Sequence, residues 1–205
     1  MIKRIAAELK EHAPFTALGA ITGIILMIAI VLSNLSTDTS EQVFYTLHPA
    51  HVVLSAIVTT AMYRQFGSGK AWLAILIGYT GSIGIATISD SVIPYGGELL
   101  LDLPHSEAHI GFIEEWWLVN PLAFLGIAIG YFRPTTKLPH MGHVLLSTWA
   151  SLFHITMALG ETFNWILLLP IFLFLIIAVL IPCCVSDIIY PMIFSKGDHA
   201  HVHSH

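Results

Sequence analysis

HPAHVVLS at residues 48–55 and HMGHVLLS at residues 140–147 are one phrase, His-x-x-His-Val-x-Leu-Ser, written once in each half of a 205-residue chain. Histidines three residues apart share a helix face. What they do there depends on the solvent around the helix, and composition identifies it. Apolar residues make up 56% of the chain and charged residues only 10%, far below the roughly 25% charged content of a soluble domain. Apolar runs cover residues 15–35, 43–66, 71–93, 117–132, 140–160 and 163–194, and about 20 helical residues cross a bilayer. The expectation is an all-α integral membrane protein with six transmembrane helices and no separate soluble domain.

The first run follows Lys3, Arg4 and Lys10. It is longer than a signal peptide core and has no small-x-small cleavage site before Ser36, so it is expected to stay as the first helix. Arg64 and Lys70 lie between runs two and three, Arg133 and Lys137 between runs four and five, and Lys196 after run six. Six alternating crossings place all these cations on one side, which predicts a cell-membrane protein with both termini cytoplasmic. The other side carries Asp38, Glu41, Glu98, Asp102, Glu107, Glu114, Glu115 and Glu161, a face expected to attract cations. The adjacent Cys183 and Cys184 point in different directions on a helix and imply no disulfide framework.

The repeat extends beyond the histidine phrase. Leu18-Gly19-x-x-x-Gly23 in the first run matches Leu125-Gly126-x-x-x-Gly130 in the fourth, and Ser89-Asp90 in the third matches Ser186-Asp187 in the sixth. Three matches in one order indicate two copies of a three-helix unit. An odd number of crossings per unit makes the second copy enter from the opposite side, so the expected architecture is an inverted repeat. The units are residues 1–98 and 117–196, joined by an external acidic and His-bearing loop at 99–116 and followed by a His-rich cytoplasmic tail at 197–205. The GxxxG pairs allow close helix approach and are candidate self-association faces for a homo-oligomer.

Helix two descends from His48 while helix three ascends to Asp90, which brings His48, His51 and Asp90 to one depth. The same argument joins His140, His143 and Asp187, with Cys184 one turn before the aspartate. Each set is a plausible partial shell for a divalent transition metal such as Zn, Mn, Fe, Co or Ni. The first set is expected toward the outside and the second toward the cytoplasm. Packing alone would explain a single histidine, but a repeated intramembrane triplet of ionisable groups points to function. Helical phase also aligns His140, His143, Ser147, Ser151, His154 and Glu161 in one stripe, and His48, His51, Ser55, Thr59 and Met62 in another. Secondary candidate ligands are His154, Glu161 and, on a short helix expected in the loop, His105 and His109. The alternating His tract at 199–205 would bind such metals loosely.

The chain has no phosphate-binding glycine loop, no His-Glu-x-x-His, no Gly-x-Ser-x-Gly and no basic face for nucleic acid. The leading functional expectation is a metal-ion transporter using the two His-His-Asp sites, with protons as candidate coupling ion. An intramembrane metalloenzyme with Glu161, Glu107 or Glu115 as acid or base is the alternative. A bis-histidine haem carrier ranks last, because the repeat sets His51 and His143 toward opposite surfaces.

Overall fold

A computed structural model describes residues 2–33, 36–66, 70–134, 137–159, 164–184 and 189–195. Helix α1 spans Ile2–Leu32, α2 Thr37–Phe66, α3 Ala71–Thr87, α4 Ile93–Leu100, α5 Gly111–Glu114, α6 Trp116–Phe132, α7 Lys137–Ala158, α8 Leu168–Cys184 and α9 Tyr190–Ser195. No strand occurs among the described residues. The stretches Pro14–Leu32, Thr37–Gln65, Ala71–Leu100 and Trp165–Cys183 are long and apolar enough to cross a membrane. Of the other two expected spans, α6 is apolar but only 17 residues long, and α7 is diluted by buried His143, Ser147, Thr148, Ser151 and His154.

Leu18, Ile21, Ile25, Phe124, Ile129, Leu173 and Ile177 are exposed, whereas four histidines, Asp90 and Glu98 are buried within an otherwise largely apolar interior. An apolar exterior with the ionisable groups turned inward suits a molecule surrounded by lipid. α2 is central, packing on α7, α6 and α3, while α1 packs on α7 and α8. Two apolar clusters flank it: Met27, Leu152, Ile155, Ile171 and Leu175 bind α1, α7 and α8, and Val52, Ile83, Ala86, Val119 and Ala123 bind α2, α3 and α6.

The GxxxG glycines are used inside the chain. A Cβ on Gly126 would lie 2.5 Å from the Val53 carbonyl oxygen and 2.8 Å from the Ala56 Cβ, and one on Gly130 would lie 2.5 Å from the Ile57 oxygen. Gly19 faces the Thr148 side chain, with a Cβ 2.9 Å from Oγ1, and Gly23 faces the side chains of Leu152 and Trp149. Contacts within the chain thus line the faces that the sequence offered for self-association. Because a carbonyl oxygen cannot rotate away, Gly126→Ala is expected to cost about 1–3 kcal/mol by forcing α2 and α6 apart. Gly84 has nothing within 4 Å of an added Cβ, so Gly84→Ala should be neutral or slightly stabilising. Unfolding of both variants in detergent tests the contrast.

The third span differs from expectation at its end. Instead of stopping at Ile93, the chain passes through a π turn at Ile88–Val92 and continues as α4 to Leu100. In that turn the Ile93 amide donates to the Ile88 oxygen, and the next residue, Pro94, has no amide to give the Ser89 oxygen. The Ser151 hydroxyl of α7 supplies the missing donor at 2.8 Å. Glu98 therefore lies in a helix and is buried, not on the open acidic face where the sequence reading counted it. The loop's short helix is also displaced: residues 105–109 are non-helical, and α5 follows at Gly111–Glu114.

Candidate metal centre

Asp90 is fully buried in the π turn, and its two oxygens are shared among four donors from three segments. His48 Nδ1 and His51 Nδ1 of α2 reach Oδ2 at 2.9 and 2.7 Å. Ser89 and Ser147 hydroxyls donate to Oδ1 at 2.7 and 2.9 Å. The widened turn aims the carboxylate at α2 and α7 together, a use of π turns common at functional sites. An ionised carboxylate accepts only, so both histidines present Nδ1–H to it. His48 Nε2 is buried with no hydrogen-bond partner among the described residues. A side chain on Gly111 would collide with this imidazole.

His51 faces the second half of the chain. Its ring stacks on that of His143 with centroids 5.7 Å apart and planes 9° apart. One ligating atom each from His51, His143 and Cys183 lie within 4.8 Å of one another, and all three residues are buried. Three helices, α2, α7 and α8, thus converge two imidazoles and one thiol on one point. Asp90 stands behind His51 in the position that a carboxylate takes behind the imidazole in many metal sites.

This arrangement revises the expected depths. The first triplet assembles as the sequence reading expects, but His143 is beside His51 and not toward the opposite surface. The haem reading was ranked last on the premise that the two were far apart; that premise fails, but parallel rings in contact leave no slot for a macrocycle between them. Cys183 is the cysteine at the centre. The side chains of His140 and Cys184 lie outside the described residues, as do Asp187, Glu161 and the tail at 197–205. The only sequence signal for Cys183 was its spacing of four from Asp187, which shares its helix face.

A second group of ionisable residues lies nearer the acidic end of the bundle. His154 Nδ1 is 2.6 Å from Glu98 Oε1, and both residues are buried. The His109 amide donates to His154 Nε2 at 3.3 Å, which fixes the proton of a neutral imidazole on Nδ1. His109 Nδ1 is 3.3 Å from the Tyr45 hydroxyl, which also bonds Glu114. Phe44 separates the two groups, its ring centroid 5.3 Å from His154 and 5.6 Å from His48. A cavity of about 280 Å³ lined by Thr37, Glu41, His105, Glu107, His109 and Met157 opens beside His109. The stripes read from helical phase are buried at His48, His51, Ser55, Thr59, His143, Ser147, Ser151 and His154, while Met62 is half-buried. Glu98 has no site role in the sequence reading, because the third apolar run stops at residue 93.

Comparison with protein-family profiles, characterised proteins and solved structures gave no match.

Proposed function

We propose that this chain carries a divalent transition-metal cation across a bilayer, binding it between His51, His143 and Cys183. The observation that carries the reading is the convergence of these three buried side chains from three helices, with His51 backed by Asp90. Two imidazoles and a thiolate form a borderline-soft donor set, which favours Zn, Co, Ni or Fe over Mn. A buried carboxylate whose described partners are imidazoles and hydroxyls also favours a cation nearby.

Transport, rather than static storage, is the role that an inverted six-span repeat, as read from the sequence, would support. Gly19 and Gly23 of α1 face α7, and Gly126 and Gly130 of α6 face α2. His51 and His143 hold the same place in the repeated phrase, and their rings stack. His51 and His143 are then equivalent residues meeting at the internal two-fold. A site on that axis is reached equally when the halves rock either way, the basis of alternating access. The Lys and Arg distribution puts both termini in the cytoplasm and the acidic end outside. Metal binding releases the thiol proton and requires neutral imidazoles, which makes protons the natural counter-ion.

Reconstituted in liposomes, the protein should take up Zn²⁺ or Co²⁺ saturably and move protons the other way. Absence of flux for Zn²⁺, Co²⁺, Ni²⁺, Fe²⁺ and Mn²⁺ alike would overturn the reading.

A further inference from the structure

The segment between α4 and α5 is strapped across the end of α7. The His105 amide donates to the Ala158 oxygen and the His109 amide to His154 Nε2, both at 3.3 Å and one helical turn apart on α7. The segment ends at Gly111, which lies so close to the His48 ring that an added Cβ would be 2.9 Å from Nε2. Residues 105–111 thus cover two buried histidines at once, and one of them, His48, shares Asp90 with His51 of the central site. The backbone hold on α7 is two long hydrogen bonds, and a cavity of about 280 Å³ lined by His105, Glu107 and His109 gives the segment room to shift.

The bond to His154 is one that a proton can break. His154 gives Nδ1–H to Glu98 Oε1 at 2.6 Å and accepts from His109 with the lone pair of Nε2. A proton on Nε2 turns that acceptor into a donor, and two N–H groups then oppose each other. Glu98 supplies the counter-charge that a buried imidazolium requires. The His109 ring is 5.6 Å away and half turned toward Tyr45, which also bonds Glu114 of α5. From α2 the apolar Phe44 ring faces His154, with His48 stacked on the same ring. Asp90 of the π turn is engaged by His48 and His51. α1 has no titratable residue beyond His12, and α8 has none before Cys183. The three-ligand cluster among the described residues is the central one; His154 and Glu98 are suited to a proton.

We propose that His154, paired with Glu98, binds the proton exchanged for the metal ion, and that this proton unlatches residues 105–111 as the outer gate of the central site. His154 is eleven residues past His143, whereas the residue eleven past His51 is Met62. The first half of the repeat therefore has no titratable group at this place, and only the outer gate answers to protons. Its part in exchange rests on the transport reading, but the latch is measurable without metal.

Amide exchange of the full-length protein in detergent micelles, with no added metal and corrected for the intrinsic pH dependence of exchange, tests the latch. Because opening takes up one proton, exchange at positions 105 and 109 should rise by up to about tenfold per pH unit as the pH falls through the ordinary histidine range. His154→Gln can still donate to Glu98 and accept from the 109 amide but does not titrate, so it should flatten the profile. Glu98→Gln should flatten it too, because the imidazolium loses its counter-charge, and it carries the test if His154→Gln fails to fold. His109→Ala keeps the backbone amide and removes the neighbouring imidazole, so its profile should match the parent. A flat parent profile, a pH response that persists in Glu98→Gln and His154→Gln, or one that vanishes in His109→Ala would overturn the gate. A pH-driven latch in a protein that moves no metal would sustain the latch and overturn the transport reading, and metal flux with a flat exchange profile would do the reverse.

Discussion

His143→Ala is expected to weaken Zn²⁺ binding at the proposed central site by more than about 100-fold, since it removes a ligand outright, whereas losing a group that only orients a ligand costs about 10–100-fold. The ring it deletes lies against His51 and within ligating distance of Cys183. Asp90→Asn should fall in that lower range, because the amide still fills the space but no longer holds both histidines through one charged oxygen. The pair His51→Ala and Asp90→Asn supplies the sharper test. If Asp90 acts through His51, the double variant should lose little more than His51→Ala alone. Competition titration against a chromophoric chelator measures all four proteins. Additive losses would show that Asp90 and His51 do not serve one ion.

Asp90→Ala should be the most destabilising single change in the site, by about 3–5 kcal/mol, the cost of removing one member of a buried charged cluster. Four donors lose their acceptor at once: the Nδ1–H groups of His48 and His51 and the hydroxyls of Ser89 and Ser147. None of these residues can turn to water, since each is buried. Ser147→Ala removes one neutral donor from the same carboxylate and should cost nearer 1 kcal/mol. Denaturant unfolding in detergent micelles, followed by helical circular dichroism, compares the two. Similar small losses for both would mean that Asp90 is not the hub its hydrogen bonds describe.

How far the centre could be read in advance is clear from single residues. That His48, His51 and Asp90 meet followed from two antiparallel helices and their directions. Their depth did not follow, because the sequence reading began helix two near the apolar run. α2 starts at Thr37, and its polar first turns are helical. Eleven residues at 1.5 Å each set His48 about 16 Å further along the helix than a start at His48 would imply. Hydropathy is blind to helical turns outside the hydrocarbon. Pro94 misled for a related reason: proline usually marks a helix end, but here a π turn and the Ser151 hydroxyl satisfy the backbone it disrupts.

The amino-acid sequence by itself determined the solvent, the helical class and the two polar stripes, because these depend on run length and on a 100° repeat within one helix. It also determined that the His-x-x-His phrase at 48–55 would have a like partner 92 positions on, at 140–147. Only the tertiary structure decided that His51 and His143 touch, that Cys183 meets them, and that Glu98 turns inward to His154. Those are facts of helix rotation and offset, set by how closely Gly126 and Gly130 let α6 approach α2 and how Gly19 and Gly23 seat α1 on α7. A rotation of one residue about α8 exchanges Cys183 for Cys184, and no pattern along a single helix registers that difference. Contacts between helices depend on the fit of several surfaces at once, so they exist only in the assembled bundle.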